Sequence, residues 1–145
     1  MSCKEYKLSL KKWDIISVDF GTSTSLIKEA TFKKDDLLEI CGVNIRYEFS
    51  MLHMAVVITP SFLNKANKVL VIPITSFNPL KHKEGYINHF VMRKRYYKSL
   101  KNDSVMLLDE MRSIDASRII KKHNFHLKDS HKKLIKEKLK RIFIE

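Results

Sequence analysis

His53-Met54-Ala55-Val56-Val57-Ile58-Thr59-Pro60, followed a few residues later by Lys68-Val69-Leu70-Val71-Ile72-Pro73, decides the fold. Each stretch is a short continuous apolar run rich in β-branched residues and ended at a proline, the pattern of a central buried strand. The polar, asparagine-bearing segment 61–67 between them suits a hairpin-like connection. Upstream, Trp13-Asp14-Ile15-Ile16-Ser17-Val18-Asp19-Phe20 packs β-branched and aromatic residues into eight positions and stops at Gly21, a strand and its turn. Residues 1–12 are basic and mixed and read as an arm or short helix. Residues 22–46 fit no single period and read as a long insertion loop, of the kind that in compact domains is functional or mobile.

Downstream of Pro73, residues 76–84 form a loop and residues 86–92 alternate imperfectly as a strand, beside the basic run Arg93-Lys94-Arg95. Ser104-Val105-Met106-Leu107-Leu108 is a further strand. From residue 129 the period changes: Ile135, Leu139, Ile142 and Phe143 recur at helical spacing among lysines, so 129–145 is an amphipathic C-terminal helix capped by Asp129 or Ser130. Five or so short strands and one helix describe a mainly β protein with α, a small β-barrel with a helix packed on it. The 145 residues make one domain, since domains run at roughly 100 to 200 residues.

Charge narrows the partners. The chain carries 28 Lys and Arg against 16 Asp and Glu, a net +12, which favours polyanions through steering and counterion release. Charge alone does not separate RNA from DNA or an anionic membrane. Two cysteines, Cys3 and Cys41, make no disulfide framework, so a reduced cytoplasmic chain is expected. The N-terminus has no apolar run of secretory length, and nowhere do about eighteen apolar residues follow one another, which sets membrane proteins aside. No cofactor is implied. His123 and His126 share a helical spacing, but no Cys or acidic cluster completes a metal site.

The order of segments resembles the PemK/MazF family of toxins from type II toxin–antitoxin modules. The family shows an opening GDIVWVDFG-type strand, a Glu ahead of an Arg-Pro-Ala-Leu-Val-Leu-type strand, a Pro-x-Thr segment and a Leu-Asp-Gln-x-Arg-x-Ile segment. Their counterparts here are residues 13–21, Glu48 with residues 53–58, Pro73-Ile74-Thr75-Ser76, and Leu108-Asp109-Glu110-Met111-Arg112-Ser113-Ile114-Asp115. The resemblance covers most of residues 13–120. It implies a dimeric SH3-like barrel and a metal-independent endoribonuclease that cuts single-stranded RNA, with mRNA as substrate and an acidic antitoxin as partner. The implied chemistry is attack of a ribose 2′-hydroxyl on the adjacent phosphate, which needs a base, an acid and donors to the phosphorane.

The resemblance puts three residues in catalytic positions. Glu48, five residues before His53, would accept the 2′-hydroxyl proton or orient the group that does; otherwise it is a loop Glu in a surface ion pair. His53 stands where most members carry Arg. Arginine stays charged and shuttles protons poorly, whereas an imidazole with a reference pKa of roughly 6.5 serves as acid or base near neutrality. The alternatives are a ring that merely packs, or a weakened enzyme. Thr75 matches the family's hydroxyl donor to the phosphate, with Ser76 as its understudy; the bland alternative is a strand-end Thr bonded to its own backbone. Arg112 falls in the segment that brings a basic side chain to the RNA. Arg93 and Arg95, followed by Tyr96 and Tyr97, combine phosphate-binding charge with stacking rings, or are a solvated face. Two other functions stay open: a gyrase-directed, CcdB-like protein-binding toxin, and an RNA-binding module without catalysis.

Overall fold

The structure, a computed structural model, describes residues 10–21, 51–60 and 67–144. Glu48, the 22–46 insertion, both cysteines, residues 1–9 of the arm and most of the 61–67 connection lie outside the described residues.

Among the described residues the fold has seven antiparallel strands and one helix: β1 (Ile15–Asp19), β2 (Leu52–Val57), β3 (Lys68–Ser76), β4 (His89–Met92), β5 (Ser104–Leu107), β6 (Arg112–Asp115), β7 (Ile119–Lys122) and α1 (Asp129–Phe143). The sheet runs β4-β5-β3-β2-β1-β7, with β6 paired to β3 off that path. Thus β3 is the spine. Its first half, Lys68 to Val71, pairs with β6 on one edge, and its end, Ile74 to Ser76, pairs with β5 on that same edge. The opposite edge holds β2 through Met54↔Ile74 to Val57↔Val71. Pro73 does not end the strand, as its sequence suggests. It sits where pairing with β6 has stopped and pairing with β5 has not begun, so its missing N–H leaves no ladder partner without a donor.

Strand alternation divides the core in two. Ile15, Val56, Ile72 and Ile74 face one way, joining Met92, Met106, Leu108 and Ile135 of α1. Ile16, Val18, Ala55, Val57, Val69 and Val71 face the other, closing with Phe20, Ile114 and Ile119. The second core is enclosed by β7, β1, β2, β3 and β6, and a 3-10 turn (Ala116–Arg118) joins β6 directly to β7. No ladder links β6 to β7 among the described residues, so the sheet is curled and not closed by hydrogen bonds.

Several boundaries differ from the sequence expectation. Leu10 of the arm is 2% exposed within the second core, so the fold begins ahead of Trp13. Trp13 itself adopts φ 78°, donates its N–H to Val57 O at 2.7 Å, and precedes the strand instead of opening it. At the far end of β1, Gly21 takes φ 91°, a conformation glycine tolerates best, and its carbonyl accepts from Met51 N–H at 2.7 Å. The chain therefore leaves β1 and re-enters β2 at hydrogen-bonded neighbours.

The strand expected over 86–92 is only His89–Met92, because residues 86–88 turn instead. Two strands, β6 and β7, were not expected. The helix begins at Asp129 with Lys128 at its N-cap, and neither Asp129 nor Ser130 caps it. Its inward stripe is Ile135, Leu139 and Ile142, whereas Phe143 is 57% exposed. No described helix is long and apolar enough to cross a membrane.

Candidate functional site

Where β2 begins and β3 ends, the two strands stop pairing with each other, while β1 still pairs the first and β5 the second, and a groove of about 570 Å³ lies beside them. Its lining includes His53, Thr75 and Ser76, three of the residues singled out from sequence. His53 and Thr75 lie one register step beyond the last pair of the β2–β3 ladder, Met54↔Ile74. Alternation assigns both to the face of Ala55 and Val71, while Ser17, Met54, Ile74 and Ser76 belong to the other face. The groove therefore wraps around the strand ends. A second cavity of about 560 Å³ adjoins it, shares Thr75 and Ser76, and adds Phe77, Asn78, Lys81, His82 and Leu107. Thr75 stands at the junction of the two.

The groove also holds residues not singled out as a site. Ser17 Oγ lies 2.7 Å from His123 Nε2, joining β1 to the segment after β7. Burial, reinforced by the positive charge of Lys121, pushes the His123 pKa down, so the ring favours its neutral form. Lys101 and Asn102, from the turn before β5, stand at the rim. Among the described residues, none that lines the groove is acidic. Ser17 does leave a trace in sequence, as the one small polar residue within the Ile15 to Val18 run. His123 was paired with His126 as one helical face, but β7 precedes it and no helix forms there.

In the second cavity, His82 Nδ1 accepts the Asn78 N–H at 2.9 Å, and the ring meets His89 edge-on at 5.1 Å between centroids. Burial, then His89, then Lys81 push the His82 pKa down. With Nδ1 occupied as an acceptor, the neutral ring carries its proton on Nε2.

The other basic residues are elsewhere. Arg93 is held by Glu84 at 2.8 Å and Asp103 at 3.1 Å and lies over the Phe77 ring at 4.9 Å. These carboxylates raise the Arg93 pKa, and Asp103 is held below its usual value by the Lys94 N–H first and Arg93 second. Arg95 lies over Tyr96 at 4.9 Å. Arg112, on β6 opposite Val71, lies over the Phe20 ring at 5.7 Å. Neither Arg93, Arg95 nor Arg112 lines the groove. Among the described residues, no group of three or more His, Cys, Asp or Glu side chains could hold a metal ion.

A curled β-sheet with one packed helix, open at the ends of β2 and β3 beside hydroxyl and imidazole groups, defines a small groove-bearing β protein. Residues 38–143, more than half of the chain, match the family described as PemK-like, MazF-like toxin of type II toxin–antitoxin systems, and the chain belongs to that family. No curated protein matches it in sequence. Solved structures share the fold at low identity. MazF from Deinococcus radiodurans is similar with a TM-score of 0.57 and 15% identity, covering 92% of this chain and 94% of that one. The MazE–MazF complex from the same organism gives 0.56 and 16%, covering 93% and 95%. The Mycobacterium tuberculosis toxin MazF-mt6 gives 0.55 and 16%, covering 66% and 90%.

Proposed function

We propose that this toxin is a sequence-selective, metal-independent endoribonuclease that cleaves single-stranded RNA, mRNA included, by 2′-hydroxyl attack. The reading extends to an SH3-like barrel that pairs as a homodimer, acts in the cytoplasm and is neutralised by an acidic antitoxin. The observation that carries it is the convergence of His53, Thr75 and Ser76 on one groove, in a chain of net charge +12. Family membership supports it over the gyrase-directed alternative. The relative crystallised as MazE–MazF supports the antitoxin partner.

The reaction joins the 2′-oxygen to phosphorus and breaks the bond to the 5′-oxygen, leaving a cyclic phosphate and a 5′-hydroxyl. The Thr75 hydroxyl, with Ser76 beside it, donates to a non-bridging phosphate oxygen as charge builds there. The His53 imidazole moves a proton, to the leaving oxygen or from the nucleophile, where arginine would only stabilise charge. Glu48 orients the 2′-hydroxyl or takes its proton. Arg95 and Arg112 supply charge along the flanks, whereas the charge of Arg93 is met by Glu84 and Asp103.

The test is incubation of long single-stranded RNA in EDTA with wild type, Thr75→Ala, His53→Ala and His53→Arg. Cleavage by wild type is expected, with Thr75→Ala slowed roughly 10- to 100-fold, the effect of losing one hydrogen bond to a charged group. Intact RNA with wild type, from protein that still arrests growth, would sink the nuclease reading. A cleavage rate indifferent to pH between about 5 and 8 would remove His53 as proton carrier.

A further inference from the structure

The groove beside Thr75 has more in it than phosphate chemistry requires. Leu52, Met54, Ile74, Leu100 and Ile120 give it an apolar floor, and Leu52 and Ile120 are 65% and 52% exposed. Phosphate oxygens gain nothing from such a surface. Neutral polar groups line it as well: the Ser17–His123 pair, 2.7 Å apart, and Asn102. An apolar floor with a few fixed donors and acceptors at its edge suits a flat ligand with apolar faces and a hydrogen-bonding perimeter. At about 570 Å³ the groove falls within the roughly 300–1,000 Å³ typical of small-ligand sites. Among the described residues, Lys101 and no carboxylate line it, so those residues do not repel a ligand attached to an anionic backbone.

We propose that this groove is a nucleobase subsite, in which an unpaired base lies on Leu52, Met54 and Ile120 and its edge is read by Asn102 and the Ser17–His123 pair. The inference rests on the ribonuclease reading for its biological use, and it names what sets sequence preference in that reading. The geometry separates the two tasks. Ser17 and Met54 lie on one face of the strands, and His53 and Thr75 on the other. A strand of RNA passing over the ends of β2 and β3 places a base on the first face and its phosphate against Thr75. Lys101 meets the backbone at the rim and reads no base. Asn102 and His123 are thus specificity-determining, because unpaired bases are told apart by hydrogen bonds along their edges. A neutral ring serves this better than a charged one, since it offers both a donor and an acceptor.

Mapping the 5′-hydroxyl ends released from a random-sequence RNA pool tests the proposal. Wild type should prefer one base at a position next to the cut. Asn102→Ala, an exposed turn substitution, and His123→Gln should each weaken or change that preference by roughly ten-fold or more, the scale of one base-edge contact. Lys101→Ala should lower the rate at all sites alike. Unchanged preference in both Asn102→Ala and His123→Gln overturns the subsite, since a merely structural role would alter rate or stability and not the chosen base.

If wild type releases no ends, the nuclease reading fails, and binding then decides the subsite alone. The probe is a single-stranded dodecamer beside an abasic dodecamer of equal charge, observed through the His123 ring and Asn102 side-chain NMR signals. Shifts with the intact strand and not with the abasic one uphold a base site. Equal shifts, or none, overturn it and leave the groove to a protein occupant.

Discussion

The Tyr97 hydroxyl meets His131 Nδ1 at 2.6 Å while accepting the N–H of Lys128 at 3.0 Å. Lys128 is the N-cap of α1 and has no side-chain cap bond of its own. A tyrosine 31 residues away in sequence therefore supplies the acceptor that a helix start lacks. With His131 Nδ1 unprotonated, the phenolic proton is donated to it. Burial, then the nearby Lys128 charge, holds the His131 pKa down and so keeps that nitrogen able to accept.

Tyr97→Phe keeps the ring in the first core and removes both bonds. Loss of about 1–3 kcal/mol in urea unfolding is expected, with faster hydrogen exchange confined first to the opening turn of α1. Uniform exchange across the helix would contradict the capping role.

The helix is held by its buried stripe. Ile135 is fully buried against Leu108 and Met106 in the first core, whereas its neighbour Leu134 is 49% exposed. Ile135→Ala should cost about 2–5 kcal/mol and Leu134→Ala less than about 1 kcal/mol, read from paired melts. Equal losses would mean that the helix does not pack by this face.

Acid should weaken the fold through three imidazoles. The pKa values of His82, His123 and His131 are all lowered, chiefly by burial, with Lys81 and His89 facing the first, Lys121 the second and Lys128 the third. Between each folded value and the ordinary value near 6.5 the unfolded chain binds more protons, so stability rises with pH there. The contribution is present in full above about 6.5 and is lost as pH falls through the folded values. Urea midpoints from pH 8 to 5 should decline below about 6.5, and His131→Phe should flatten part of that decline. A midpoint that climbs towards pH 5 would contradict the sign.

Arg93 has already spent its charge on Glu84 and Asp103. Its bonds are largely solvent-exposed, so Arg93→Ala should change stability by about 0–1 kcal/mol. In RNA binding, Lys101→Ala should lower the slope of log affinity against log salt by about 1, and Arg93→Ala by less. A larger effect from Arg93 would place the nucleic acid on that flank instead.

Much of this was legible in the chain and some was not, for physical reasons. The runs Met54 to Ile58 and Lys68 to Ile72 announce β2 and β3 because both faces of each strand are buried. Strands β6 and β7 escape because each has four residues, with Ile114 the one buried side chain in the first and Ile119 in the second. Pro73 reads as a stop, yet it is tolerated where β3 changes neighbours. The helix cap comes from Tyr97, which no local pattern predicts. At the site, His53 and Thr75 were visible by resemblance to a family's segment order. The Ser17–His123 pair was not, because its members are 106 residues apart and only the sheet order, with β7 beside β1, brings them together.

That separation sets when the site can exist. A groove that draws on β1, both central strands, the turn before β5 and the residue after β7 has no partial form made by an early segment of the chain. A ribosome translating this protein must release His123 before Ser17 finds its partner. The groove is thus incomplete through most of the chain's synthesis, and it is closed only as the last strand docks beside the first.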